Sequence, residues 1–315
     1  MISVLGSGVA GLCAATALTE AGHAVELIAP GDAPAPASRL AGGMLAPFCE
    51  GEAAPETIVV QGQAAIGWWR EHTQSFVARG TLVVAPPRDS AEIDRFARAT
   101  RAHRLVVPGE IEPDLAGRFS RGLFFDTEAH VTPRRALVEL REGLIARGVR
   151  VHGGAPSGRL TVDCRGLASA DCLADLRGVR GEMVELFTRE VHLSRPVRLL
   201  HPRFPCYVVP RGEGLFMLGA TMVETADAGP ITARAAMELL SAAYTLHPAF
   251  AEAEIVATGS GLRPSFPDNI PRLRREGDRI HMNGMYRHGF LMAPVLAMEL
   301  VRMIGGMDAG GGDAD

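Results

Sequence analysis

The head of the chain alternates between short apolar runs and turns of small residues. Ile2–Leu5 reads as a buried strand, and it runs directly into Gly6-Ser7-Gly8-Val9-Ala10-Gly11. Residues 12–21, rich in alanine and leucine, predict a helix that ends at Gly22, and 24–28 predicts a second strand. Further on, apolar positions at helical spacing predict amphipathic helices over 56–76 and 90–101. Pro133 is suited to the first position of a helix over 134–147, and another is expected to begin near Pro294. No internal repeat is visible, and the Gly/Asp-rich stretch from 305 onward reads as a frayed end. Strands interleaved with helices make the class α/β.

Strand, glycine turn, helix, glycine and second strand in this order form a dinucleotide-binding pattern, which a lone GxGxxG would not. Gly6 suits the tight turn, Gly8 lets a pyrophosphate approach the backbone, and Gly11 lets helix and strand pack closely. Free N–H groups at the helix start, those of Val9 and Ala10 among them, then face the phosphates along the dipole. The bland alternative is a βα turn that binds nothing. The end of the second strand, where an acidic residue normally holds the ribose, is Ala29. Asp32 is the substitute if its loop folds back, while Glu26 is expected on an outward face.

Composition narrows the chemistry. The 315 residues, 47% hydrophobic and 22% charged, suffice for two domains, and a net charge of −4 gives no reason to expect nucleic acid or an anionic membrane. No apolar run stands out as a membrane span, and the N-terminus lacks the basic region of a signal peptide. Five scattered cysteines show no metal-ligand spacing and read as buried, reduced thiols of a cytoplasmic protein. All 32 basic residues are arginine. A lysine Schiff base and a P-loop lysine are thereby excluded.

The stretch Ala37-Ser38-Arg39-Leu40-Ala41-Gly42-Gly43-Met44-Leu45-Ala46-Pro47 resembles the flavin-facing segment of the D-amino-acid oxidase-like family of FAD-dependent oxidoreductases, and of its glycine oxidases in particular. Thr161-Val162-Asp163-Cys164-Arg165-Gly166-Leu167 resembles the strand and turn that return to the FAD. Arg177-Gly178-Val179-Arg180-Gly181-Glu182-Met183 resembles the entry into the substrate domain. Cys206-Tyr207-Val208-Val209-Pro210-Arg211 and Gly219-Ala220-Thr221-Met222 look like two strands of that domain. Gly261-Leu262-Arg263-Pro264, Pro267-Asp268 and Asn283-Gly284-Met285-Tyr286-Arg287-His288-Gly289 resemble the closing flavin segments. The resemblance implies a Rossmann-like FAD domain over 1–60, 132–180 and 258–306. A smaller α+β substrate domain with a largely antiparallel sheet would take 61–131 and 181–257, leaving 307–315 as a tail. Only 152–159 separates Val151 from Leu160, where relatives carry a longer hairpin.

The same resemblance implies that Ser38, Gly42, Gly43 and Met44 line the flavin. Backbone N–H groups of Met285, Tyr286, Arg287, His288, Gly289, Phe290 and Leu291 would stabilise negative charge on its reduced ring. Arg263 is expected, in a stiff apolar turn, to clamp a substrate carboxylate with two parallel hydrogen bonds, and Tyr207 to add a phenolic donor. Arg287 would serve flavin edge or substrate, and Met222 would wall the pocket; plain packing is the alternative for Met222 and a core role for Tyr207. Relatives carry histidine at the position of Met285 and asparagine at that of His288, so His288 either donates towards the flavin or points to solvent. No His/Asp pair or carboxylate dyad is evident, which favours hydride transfer from Cα to flavin N5 over proton abstraction. The expected reaction takes glycine or a similar small amine acid, with oxygen, to imine or glyoxylate, ammonia and hydrogen peroxide. Such an imine could feed thiazole formation in thiamine biosynthesis. A homo-oligomer is expected by analogy alone. Competing readings are a D-amino-acid dehydrogenase with a membrane acceptor, a sarcosine-oxidase-like enzyme, disfavoured for want of a lysine, and a catalytically dead flavin-binding module.

Overall fold

The computed structural model describes residues 1–29, 37–201 and 206–310, with side chains to 306. Two sheets divide most of the chain. A six-stranded sheet has the order Arg272–Glu276, Arg279–Asn283, Leu160–Asp163, Ile2–Leu5, Val25–Ile28, Arg150–His152, parallel except at its first pair. Both Ile2–Leu5 and Val25–Ile28 are buried throughout, which is why they are apolar except at Ser3 and Glu26. The chain leaves Leu5 for one neighbouring strand and finds Leu160–Asp163 on the other side. The residues just past Leu5 therefore sit where strand order reverses, the usual place for a ligand crevice.

Helix Val9–Glu20 follows that turn and is buried over most of its length. It packs beside Pro133–Ala146 and the last helix, Gly289–Gly310, which also meets Glu56–His72. Gly62 permits that last approach, since a Cβ there would lie 2.6 Å from Leu291 Cγ. The last helix begins at Gly289, five residues before Pro294, where the sequence suggested a start. Pro294 lacks the N–H that would reach the carbonyl of Phe290 one turn back. The fully buried Trp69 fills the gap, its Nε1 donating to Phe290 O at 2.7 Å. This helix is also long and apolar enough to cross a membrane over Gly289–Gly306, against the sequence expectation, and half of that stretch is buried against neighbouring helices. It continues through Gly310, into the stretch read as a frayed end.

An eight-stranded sheet has the order Glu254–Ser265, Arg177–Phe187, Leu215–Gly219, Cys206–Gly212, Val197–Leu199, Thr81–Val84, Gly122–Phe125, Arg104–Val106. Its pairs are antiparallel apart from Val197–Leu199 with Thr81–Val84, as the largely antiparallel expectation required. Met44–Leu45 pairs separately with Ala129–His130.

Several boundaries differ from the sequence reading for local reasons. Helix Glu56–His72 stops short of 76 because Thr73 is extended and its hydroxyl accepts from Ser75 N–H at 3.1 Å. Helix Ala91–Ala99 ends as Thr100 turns its hydroxyl back to Phe96 O at 2.8 Å. Glu26 faces inward, not outward: the shortened 152–159 segment folds over it, and Ser3, the Ser157 N–H, Arg150 and His152 all donate to its carboxylate. Burial would raise that carboxyl, but these donors hold it well below the ordinary carboxylate range. Four cysteines are buried as expected, while Cys172 is exposed.

Candidate active site

One cavity of about 900 Å³ runs from the glycine turn to the edge of the second sheet. Gly6, Gly8, Val9 and Ala10 line its first end. Gly6 has φ +99, and a Cβ there would lie 2.7 Å from Cys164 O. Gly11 is not in the lining. A Cβ on it would come within 1.8 Å of Gly6 O, so it is the packing glycine of the turn. The first turn of helix Val9–Glu20 carries no acidic residue, and its cap, Gly8, has no side chain to occupy the free N–H groups. Ser38 Oγ accepts from Val9 N–H at 3.1 Å. This is a cradle open to a diphosphate, and the cavity beyond has room for a tricyclic ring, so the residues fit FAD. Ala29 is in the lining, and the proposed ribose partner Asp32 lies outside the described residues.

Ser38, Gly42, Gly43 and Met44 line the cavity, as does the run Met285, Tyr286, Arg287, His288, Gly289, Phe290 and Leu291. The latter ends in the start of the last helix, where His288 O accepts from Leu291 and Met292 N–H at 3.0 and 2.7 Å. The positive end of that helix therefore faces the cavity. His288 is buried rather than pointing to solvent, and burial pushes its ring down to about 4, so it is neutral above that pH.

The far end of the cavity gathers Arg263, Tyr207, Arg287 and Met222. Arg263 does not sit in a turn as the sequence suggested. It lies on strand Glu254–Ser265, opposite Val179. Its guanidinium covers Gly181, where a Cβ would meet Nη2 at 2.2 Å, and Nη1 donates to Thr221 O at 3.0 Å. Thr221 is free to offer that carbonyl because strand Leu215–Gly219 ends before it. The stretch 219–222, expected from the sequence to be a strand, is one only at Gly219. Burial lowers Arg263 from its usual value, yet a guanidinium keeps its charge across the working range. Tyr207, half-buried, packs its ring between Gly42 and Gly219, whose Cβ atoms would lie 2.7 and 2.9 Å from its Cε2. Burial pushes its phenol up, against the pull of Arg263, so it is a proton donor at neutral pH.

Arg287 is committed elsewhere than expected. Its Nη2 binds Glu50 Oε2 at 2.5 Å, and its Nη1 rests against the sulfur of Met222 at 3.6 Å. Met222 also receives the Tyr286 hydroxyl at 3.3 Å and is 44% exposed, so it is no packed core residue. Glu50, at the end of the short helix Pro47–Glu50, was not singled out from sequence. Burial raises its carboxyl, but Arg287, His288 and Arg198 outweigh that and hold it at about 2. His288 Nδ1 lies 3.7 Å from the same oxygen, so the cavity does contain a His/carboxylate pair, contrary to the sequence reading. Arg198, also missed, lines the cavity with its Nη2 on Glu52 at 2.7 Å. Arg211, on strand Cys206–Gly212, donates to Val131 O at 3.0 Å and Ala41 O at 2.9 Å, tying that strand to the segments flanking the Met44–Leu45 and Ala129–His130 pair.

The family model for FAD dependent oxidoreductases, DAO, matches residues 1–303. A Rhizobium etli chain named as a thiamine biosynthesis oxidoreductase, ThiO, is 51% identical over 96% of both chains. A glycine oxidase of Pseudomonas aeruginosa is 27% identical, covering 98% of this chain and 95% of its own. Among solved structures, a glycine oxidase from Geobacillus kaustophilus superposes with a TM-score of 0.81 over 96% of this chain and 94% of its own, at 23% identity.

Proposed function

The chain belongs to the DAO family of FAD-dependent oxidoreductases, and from that premise we propose that it oxidises glycine or a similarly small amine acid. It is an FAD-dependent amino-acid oxidase of the glycine oxidase and ThiO type. The observation that carries the finer reading is Arg263: a guanidinium in the lining of the same cavity as Gly42 and Gly43, with no carboxylate partner among the described residues. We assign 1–60, 132–180 and 258–306 to the flavin unit and 61–131 with 181–257 to the substrate unit.

FAD supplies a two-electron acceptor that oxygen can restore. The chain's own residues do the rest. N–H groups after Gly8, apart from that of Val9, which Ser38 already occupies, hold the diphosphate, and the start of the last helix favours negative charge in the same cavity. Arg263 grips the substrate carboxylate, and the Tyr207 hydroxyl donates to it, which fixes the direction of the Cα–H bond. Positioning of this kind contributes up to ~7–11 kcal/mol in model systems. Thr221 O and the bare surface of Gly181 hold the guanidinium in place. Glu50 at about 2 and His288 at about 4 are too weakly basic to remove a Cα proton. Loss of hydride from a neutral amine is the consistent reading. With oxygen and water, glycine then gives glyoxylate, ammonia and hydrogen peroxide. By analogy with the Rhizobium etli relative's name, the imine of glycine would serve thiamine biosynthesis.

The test is peroxide release by the purified holoenzyme with glycine, sarcosine and D-alanine. Turnover of at least one, lost on the order of 100-fold in kcat/KM in Arg263→Ala with the flavin retained, is the expected result. Reduction of a dye acceptor without oxygen uptake would move the chain to the dehydrogenases.

A further inference from the structure

We propose that Glu50 sets the charge selectivity of the site: by occupying Arg287, it leaves Arg263 as the one guanidinium of the described lining open to a carboxylate, and so disfavours substrates with a second acid group. The inference rests on the reading of Arg263 given above. Among the described residues, four guanidinium groups border the cavity. Arg165 is held by Asp163 at 2.7 Å and by Asp171, and Arg198 by Glu52 at 2.7 Å. Arg287 is held by Glu50 at 2.5 Å, while Arg263 meets only a backbone carbonyl among the described residues. Among the described residues, the site thus presents a single unmatched positive charge, suited to one carboxylate.

Geometry keeps Glu50 in this role. The residue before it is fixed from both sides: Cys49 N–H donates to the buried Glu128 at 2.7 Å, and Cys49 O accepts from Arg198 at 3.2 Å. On the far side of the pair, the Met222 sulfur backs the Arg287 guanidinium. Arg287 is half-buried, so its attraction for a second anion would be screened little if Glu50 lost its charge. With Glu50 ionised, a second carboxylate near Arg287 meets a carboxylate already in place, and like charges at this range repel.

Sarcosine and iminodiacetate differ by one carboxylate on the N-methyl carbon, and acetate and malonate are a matching pair of unreactive ligands. The experiment compares kcat/KM for the first pair, and Kd for the second from the shift of flavin absorption, in wild type, Glu50→Gln, Arg287→Met and the double variant. Glu50→Gln should raise the iminodiacetate-to-sarcosine and malonate-to-acetate ratios on the order of 10-fold to 100-fold. The double variant should lose that gain, since no unmatched guanidinium remains there. Arg287→Met alone should weaken malonate more than acetate, which tests the pair even if Glu50→Gln does not fold. Unchanged ratios in Glu50→Gln, or a gain that survives in the double variant, would overturn the Glu50 assignment while leaving the oxidase reading intact. Wild type that neither oxidises a small amine acid nor binds acetate would instead remove the reading of Arg263 itself.

Discussion

Gly42 and Tyr207 belong to one device. The ring of Tyr207 lies against Gly42, and a methyl group there would stand 2.7 Å from Cε2, so Gly42→Ala must shift the phenol or the flavin-facing segment. Its expected effect is a higher KM for glycine, larger than that of Tyr207→Phe, which should cost only about 0.5–1.5 kcal/mol as a single neutral hydrogen bond. Steady-state kinetics on both variants, with the flavin content measured, checks the order. At this scale the sequence was informative wherever a residue belonged to a contiguous motif. Gly6, Gly8, Tyr207 and Arg263 each carried their signal in their neighbours. Glu50 did not, because its meaning comes from Arg287, 237 residues further along the chain. Gly181 was inside a recognised motif, yet its reason for being glycine, the guanidinium lying on it, is visible only once two strands are paired.

The last helix shows the same limit among elements. A proline at the first helical position is a sound rule, and it placed the start at Pro294 because nothing nearby reveals that Trp69 can serve the carbonyl the proline leaves free. Trp69→Phe should therefore cost about 1–3 kcal/mol of stability, as expected when a buried carbonyl loses its donor. In a Pro294→Ala background the helix regains its own N–H, and the penalty of Trp69→Phe should shrink. Denaturant unfolding of the two single variants and the double variant measures that coupling; strictly additive effects would mean that the indole contributes packing only. The strand–glycine–helix unit at the N-terminus, by contrast, was legible in full, since all its determinants are local. The position of Arg263 on a strand was not, because Gly-Leu-Arg-Pro looks like a turn until Arg177–Phe187 pairs with it.

Across the molecule, both large sheets contribute to the lining of the cavity, and Glu128 is buried just before the small strand Ala129–His130. It supports the short helix that carries Glu50, and burial pushes its carboxyl up to about 8. A carboxyl with a raised pKa in the folded state stabilises that state below its ordinary value near 4.5 and loses this contribution as pH climbs towards 8. Thermal unfolding should thus show stability declining over that window by up to roughly 1.4 kcal/mol per pH unit, and Glu128→Gln should flatten the decline. An unaltered profile would place the charge of Glu128 elsewhere. The central claim is more specific: a flavin lies in this cavity, and Arg263 presents a small amine acid to it. Anaerobic mixing of the yellow holoenzyme with glycine, followed at the flavin absorption band, tests that claim without any oxygen chemistry intervening. The band should bleach in wild type and bleach on the order of 100-fold more slowly in an equally yellow Arg263→Ala at subsaturating glycine. Bleaching at the wild-type rate in that variant would contradict the account.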